Sequence, residues 1–225
     1  MNRAITGESM SQRAGLSPAR LGDAGLAAVW VLLSVASISG TIADAPDERV
    51  LATAHHAVSS LILCLTAVLF IIRRPASKST GSWLSRGVAI AGSWLMPALI
   101  LMPLTLTPGW LLTLTTAVLV VLHVVVFWSL LTLRRSFSIF PEARALIRSG
   151  PYGRVRHPLY ATYMAMYPCF LLPRLSLLAV VVTVLGIACE IWRAREEEAI
   201  LTSAFSDYAD YAAATPRFIP RLTNQ

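Results

Sequence analysis

"WLLTLTTAVLVVLHVVVFWSLLTL", residues 110–133, runs for 24 residues without an Asp, Glu, Lys or Arg. A bilayer core about 30 Å thick is crossed by roughly 20 apolar residues of helix, so this stretch decides between a soluble and a membrane fold. Three runs of similar length precede it: 24–42 ("AGLAAVWVLLSVASISGTI"), 51–72 ("LATAHHAVSSLILCLTAVLFII") and 87–106 ("GVAIAGSWLMPALILMPLTL"). Two shorter ones follow, about 158–172 and 175–192, separated only by Pro173 and Arg174. That spacing predicts a short helical hairpin, whose first arm is short for a perpendicular span. Pro97 and Pro103 are expected to kink the third run.

Composition agrees. Hydrophobic residues make up 56% of the chain and charged residues 14%, against about 25% charged in soluble domains. Too little polar surface exists to coat a water-soluble fold of this size. The expected class is an all-α integral membrane protein with about six transmembrane helices and a cytoplasmic C-terminal pocket. The expected organisation is a polar arm at 1–23, four transmembrane helices over 24–133, and a catalytic region at 134–225. The first apolar run, at 19 residues, exceeds a usual signal-peptide core, so cleavage there is not expected.

Charge sorts the loops. The net charge is +7, and 18 of the 19 cations are arginine. Residues 43–50 ("ADAPDERV") are acidic, whereas "RRPASKSTGSWLSR" carries Arg73, Arg74, Lys78 and Arg86. Arg134, Arg135, Arg144, Arg148, Arg154 and Arg156 follow the fourth run. The positive-inside bias then predicts six spans with both termini cytoplasmic. These basic loops lack the aromatic interleaving of a nucleic-acid groove and suit anionic lipid headgroups. Cys64, Cys169 and Cys189 read as small buried hydrophobes rather than a disulfide framework. His55, His56 and His123 sit on apolar helices without partners in register, so no metal site is expected.

Two polar constellations interrupt the apolar pattern. The first is "GPYGRVRHPLYATY", Gly150 to Tyr163. Gly150-Pro151 marks a turn. Pro158 suits the first position of a helix, which leaves His157 extended at its N-cap. The free N–H groups of Leu159 and Tyr160 then face an anion beside Arg156 and His157. A plain interfacial helix start with snorkelling arginines is the competing view. The second constellation is "CEIWRAREEEAIL". On a helix, Glu190, Arg193, Glu197 and Leu201 share one face and Glu198 lies a quarter-turn away. A lone carboxylate at membrane depth is costly, so Arg193 is the natural partner of Glu190. Arg195 and Glu196 are assigned to a solvated helix exit.

Together these residues resemble the isoprenylcysteine carboxyl methyltransferase family, with phospholipid N-methyltransferases sharing the general pattern. The likeness rests on "GPYGRVRHPLY", then Arg193, Glu197, Glu198 and Leu201, then Phe205, Tyr208, Tyr211 and "TPRFIP", and covers about 134–221. It implies a transferase that uses S-adenosylmethionine on the cytoplasmic side. By position, the resemblance puts His157, Pro158, Leu159, Tyr160, Glu197 and Glu198 around the cofactor. It puts Arg193 and Arg156 toward a lipophilic methyl acceptor, with Arg193 placed to hold an acceptor carboxylate. Phospholipid N-methylation, an NADPH-dependent membrane reductase and a non-catalytic membrane scaffold are the alternatives. The carboxylates of the second constellation favour a cationic cofactor over the phosphates of NADPH.

Overall fold

The computed structural model describes residues 49–79 and 82–221, with helical residues also at 28, 29 and 32. The N-terminal arm and most of the first expected span therefore lie outside the described residues. The remaining five expected helices are all helical.

Helix α1 spans Arg49–Ile72, α2 Trp83–Ile100, α3 Gly109–Leu133, α4 Pro158–Leu171, α5 Leu177–Ala204 and α6 Tyr208–Ala214. Four stretches are long and apolar enough to cross a membrane: Thr53–Ile72, Trp83–Ile100, Gly109–Ser136 and Leu177–Ala204. Helix α4, at 14 residues, rises only about 21 Å, well short of the hydrocarbon thickness.

Local chemistry sets the boundaries. Ser82 caps α2 by accepting from the Ser85 N–H at 3.3 Å, and Ser176 caps α5 by accepting from the Ala179 N–H at 3.2 Å. Pro97 sits inside α2, which stops at Ile100 rather than continuing to 106. Pro103 cannot donate a helical hydrogen bond, and a residue before proline is pushed away from the α region. The freed chain is held instead by the hairpin turn, where the Thr105 N–H donates to the Pro173 carbonyl at 2.9 Å. Arg174 Nε donates to the Met102 carbonyl at 3.1 Å from the same turn.

Helix α1 packs on α3, α2 on α5, and α4 is wedged against both α3 and α5. Phe70, Leu99, Leu119, Val126, Tyr167 and Phe170 fill the buried centre. Small residues permit close approach; a Cβ at Gly186 of α5 would land on the Tyr167 ring of α4. The outward faces carry exposed Leu61, Trp94, Val121, Val124, Leu178 and Val184, the apolar surface that lipid tails cover.

At the end of the bundle opposite the hairpin turn, a polar cap assembles. Strand β1 (Lys78–Ser79) pairs antiparallel with β2 (Glu142–Ala143), Lys78 facing Ala143 and Ser79 facing Glu142. Lys78 Nζ donates to the Ser203 carbonyl near the end of α5. A second small core of Ala143, Leu201, Tyr208 and Tyr211 joins β2, α5 and α6. Gly150 turns the chain at φ +57°, where a Cβ would come within 3.1 Å of Thr132 Oγ1.

Candidate functional site

The cap and the bundle meet around the start of α4. The segment leading into it is held from outside: the Arg156 N–H donates to the Pro216 carbonyl at 2.8 Å, and the His157 N–H to the Arg217 carbonyl at 3.1 Å. His157 adopts φ −128°, ψ 64° ahead of Pro158, outside the α region that a following proline disfavours. Its ring is buried, with Nε2 3.0 Å from Glu198 Oε1.

Glu198 is a tie between segments. Oε1 accepts from Arg217 Nε at 3.0 Å, Oε2 from Arg217 Nη2 at 2.5 Å, and Arg156 Nη1 lies 3.1 Å from Oε1. One carboxylate thus anchors the strand before α4 and the C-terminal segment onto α5. Its hydrogen bonds push the Arg217 guanidinium above its ordinary range. Glu197, one position earlier and so about 100° around the helix, faces inward. Its Oε2 accepts from Tyr160 Oη at 2.8 Å.

Tyr160 links the groups that follow. Its ring stacks on His157 with centroids 5.5 Å apart, and the Arg193 guanidinium lies over it, 4.9 Å from its centroid. Arg193 is buried. Its Nη1 donates to Glu190 Oε2 at 2.9 Å and its Nη2 to the Ile139 carbonyl at 3.1 Å. Its Nε is buried with no partner among the described residues. Helix α2 permits this arrangement by presenting Gly92, whose Cβ position lies 3.2 Å from Arg193 Cδ and 3.3 Å from Glu190 Oε1.

Arg193, Glu190, Glu197, Tyr160 and His157 line a cavity of about 220 Å³. The rest of its wall is largely apolar, from Ile62, Met96, Phe137, Ile139, Leu159 and Met166 among others. A buried cation with a spare donor, a carboxylate and aromatic rings therefore face one chamber inside a lipid-embedded bundle.

The segment that builds most of this chamber resembles a known family. Residues 94–203 match the isoprenylcysteine carboxyl methyltransferase (ICMT) family. This is a family of membrane methyltransferases, and the ICMT match runs from α2 through nearly all of α5. The chain is also similar to the cobalt-zinc-cadmium resistance protein CzcN of Cupriavidus metallidurans, 41% identical over 86 residues. That match takes in 35% of this chain and 37% of CzcN.

Within the ICMT-matched segment, the residues singled out from the sequence divide into two groups. His157, Leu159, Tyr160, Arg193 and Glu197 line the cavity. Arg156, Pro158 and Glu198 are not among its lining residues. Arg156 turns its Nη1 to Glu198, Pro158 is buried as the first residue of α4, and Glu198 is saturated by His157, Arg156 and Arg217. Glu196, expected in a solvated exit, instead accepts from Ser85 Oγ of α2 at 2.6 Å. The cavity also uses residues the sequence did not single out, namely Gly92, Ser93, Thr66, Tyr152, Tyr163 and the 136–140 loop. A glycine followed by a serine inside an apolar helix was the one available signal for Gly92 and Ser93, since such small residues mark close helix contacts. The loop "SFSIF" carries no such mark.

Proposed function

We propose that the chain is an integral membrane methyltransferase that moves the methyl group of S-adenosylmethionine to a lipophilic acceptor in this cavity. The observation that carries the reading is the convergence of Arg193, Glu197 and Tyr160 on one largely apolar chamber within the ICMT-matched segment. The residues present fit that cofactor. Glu197 offers a carboxylate to its ammonium, and His157 stands at a helix start where an anion is favoured.

S-adenosylmethionine supplies an electrophilic methyl group on a sulfonium. The protein's task is then alignment and exclusion of water. Arg193 is held in place by Glu190 and the Ile139 carbonyl, and its remaining Nε–H is free to orient an acceptor oxygen. A carboxylate acceptor needs no general base. An amine acceptor must lose a proton first; His157 Nε2–H is spent donating to Glu198, so Glu197, which lines the cavity, is the candidate base. The apolar wall accommodates the acceptor's hydrocarbon. The carboxylate reading is preferred because the cavity's buried guanidinium has a donor to spare.

The site lies at the end of the bundle that carries Arg73, Arg74, Arg135, Arg144, Arg148 and Arg156. The positive-inside bias supports a cytoplasmic cofactor site at this end of a chain that crosses the membrane several times.

The test is transfer of labelled methyl from S-adenosylmethionine into a lipid extract by the purified protein. Label should enter the organic phase, be released by base as an ester would be, and be lost in Arg193→Ala. A folded protein that transfers no label refutes the reading, and base-stable label moves the acceptor to an amine.

A further inference from the structure

The cavity has a second polar wall far from the charged one. His123 of α3 lines it, ten residues before Leu133 and so about 15 Å along the helix, deep in the bilayer. An imidazole at that depth is costly unless something meets it. Its Nδ1 lies 2.7 Å from the Leu119 carbonyl. A neutral ring donates there through Nδ1–H, which makes Nε2 a bare acceptor. The nearest polar group to Nε2 is Ser59 Oγ of α1 at 3.2 Å. That hydroxyl has one proton, and the His55 carbonyl at 2.7 Å competes with Nε2 for it. The His55 ring packs edge-on to His123 with centroids 4.9 Å apart, and its Nδ1 is buried with no hydrogen-bond partner. At the chamber wall, His123 Nε2 thus competes with the His55 carbonyl for the single Ser59 proton, and behind it His55 Nδ1 has no partner, although buried acceptors require a donor.

Resting on the methyltransferase reading above, we infer that His123, flanked by Ser59 and His55, is a subsite for a hydrogen-bond-donating group on the acceptor's far end. The acceptor class is then a two-headed amphiphile: an anionic or nucleophilic group at Arg193, a hydrocarbon body, and a hydroxyl that donates to His123 Nε2. A metal ion is the other ligand that imidazoles take. Among the described residues no group of three or more His, Cys, Asp and Glu side chains gathers to hold one, and the Leu119 carbonyl already engages one His123 nitrogen.

The experiment is calorimetric titration of the detergent-purified chain with dodecanoate, ω-hydroxydodecanoate and ω-methoxydodecanoate, and with their octanoate and decanoate homologues. A parallel cell holds S-adenosylhomocysteine. At the best-fitting length the hydroxy acid should bind about tenfold tighter than the plain acid, the upper range of one net hydrogen bond, and the methoxy acid should gain nothing because it cannot donate. In His123→Leu the ratio of hydroxy to plain affinities should fall to about one. If the leucine variant does not fold, the wild-type comparison of hydroxy, methoxy and plain acids still tests the idea by itself. Equal affinities at every length, or no binding by any of these acids, overturn the subsite even where S-adenosylhomocysteine binds. A preserved hydroxyl preference without S-adenosylhomocysteine binding supports the subsite and removes the methyltransferase reading.

Discussion

Replacing Gly92 by alanine should impair turnover far more than folding. The new Cβ would stand 3.2 Å from Arg193 Cδ, 3.3 Å from Cys189 Cβ and 3.3 Å from Glu190 Oε1. Comfortable carbon separations are about 3.5–4.0 Å, so the Arg193–Glu190 pair must retreat by about 0.5 Å. Overpacking of this kind costs about 1–3 kcal/mol, and alanine's better helix propensity returns about 1 kcal/mol. The net loss of stability is thus at most about 2 kcal/mol. A misplacement of about 1 Å can cost about a hundredfold in rate, so half of that predicts about a tenfold fall in kcat/KM. The assay is methyl transfer beside thermal unfolding in detergent. Gly87→Ala is the control, because nothing lies within 4 Å of its Cβ position on the same helix. A folded Gly92→Ala protein with unchanged kcat/KM would show that the position of Arg193 does not govern the reaction.

Other outcomes follow from the same geometry. Glu198→Gln removes the charge that holds Arg156, His157 and Arg217. It should cost about 3 kcal/mol, read as lost amide-exchange protection over 205–221. Glu197→Gln should leave that protection intact while weakening S-adenosylhomocysteine binding at least tenfold. Gly186→Ala drives a methyl into the Tyr167 ring and should abolish a cooperative thermal transition, with recovery in the double variant that also carries Tyr167→Leu. Burial pushes the Tyr208 and Tyr211 phenols up to about 12. With folded values raised above the ordinary value near ~10, the stability they contribute is full below about pH 10 and is lost as pH rises through 12. Phenolate absorbance should therefore appear together with detachment of α6, in that window and not below it.

The apolar runs announced their helices because hydrocarbon length is a property of composition. Even α4's failure to reach across a bilayer was readable from its residue count. What could not be read was where α2 would end: Pro103 lies beyond the helix, and only the tertiary bonds from Thr105 and Arg174 to the hairpin make that early stop tolerable. At the site, helical periodicity placed Glu190, Arg193 and Glu197 on one face and set Glu198 apart. It could not say which face the chamber occupies, since that depends on α4 lying across α5. Arg156 and Glu198 were adjacent to site residues in sequence, but they are spent on each other across the fold, and Glu198 also on Arg217, 19 positions further along the chain. His123 looked isolated for the same reason. Its neighbours His55 and Ser59 come from another helix, and pairing of helices is invisible to a local pattern.

The proposal that this chamber holds S-adenosylmethionine is most directly examined by titrating S-adenosylhomocysteine into the purified wild-type protein, with NADPH in a matched cell and Glu197→Gln in a third. Saturable binding of S-adenosylhomocysteine by the wild type, weakened in the variant, with no heat from NADPH, is the predicted result. Binding of NADPH alone, or equal binding of S-adenosylhomocysteine by wild type and variant, would contradict it.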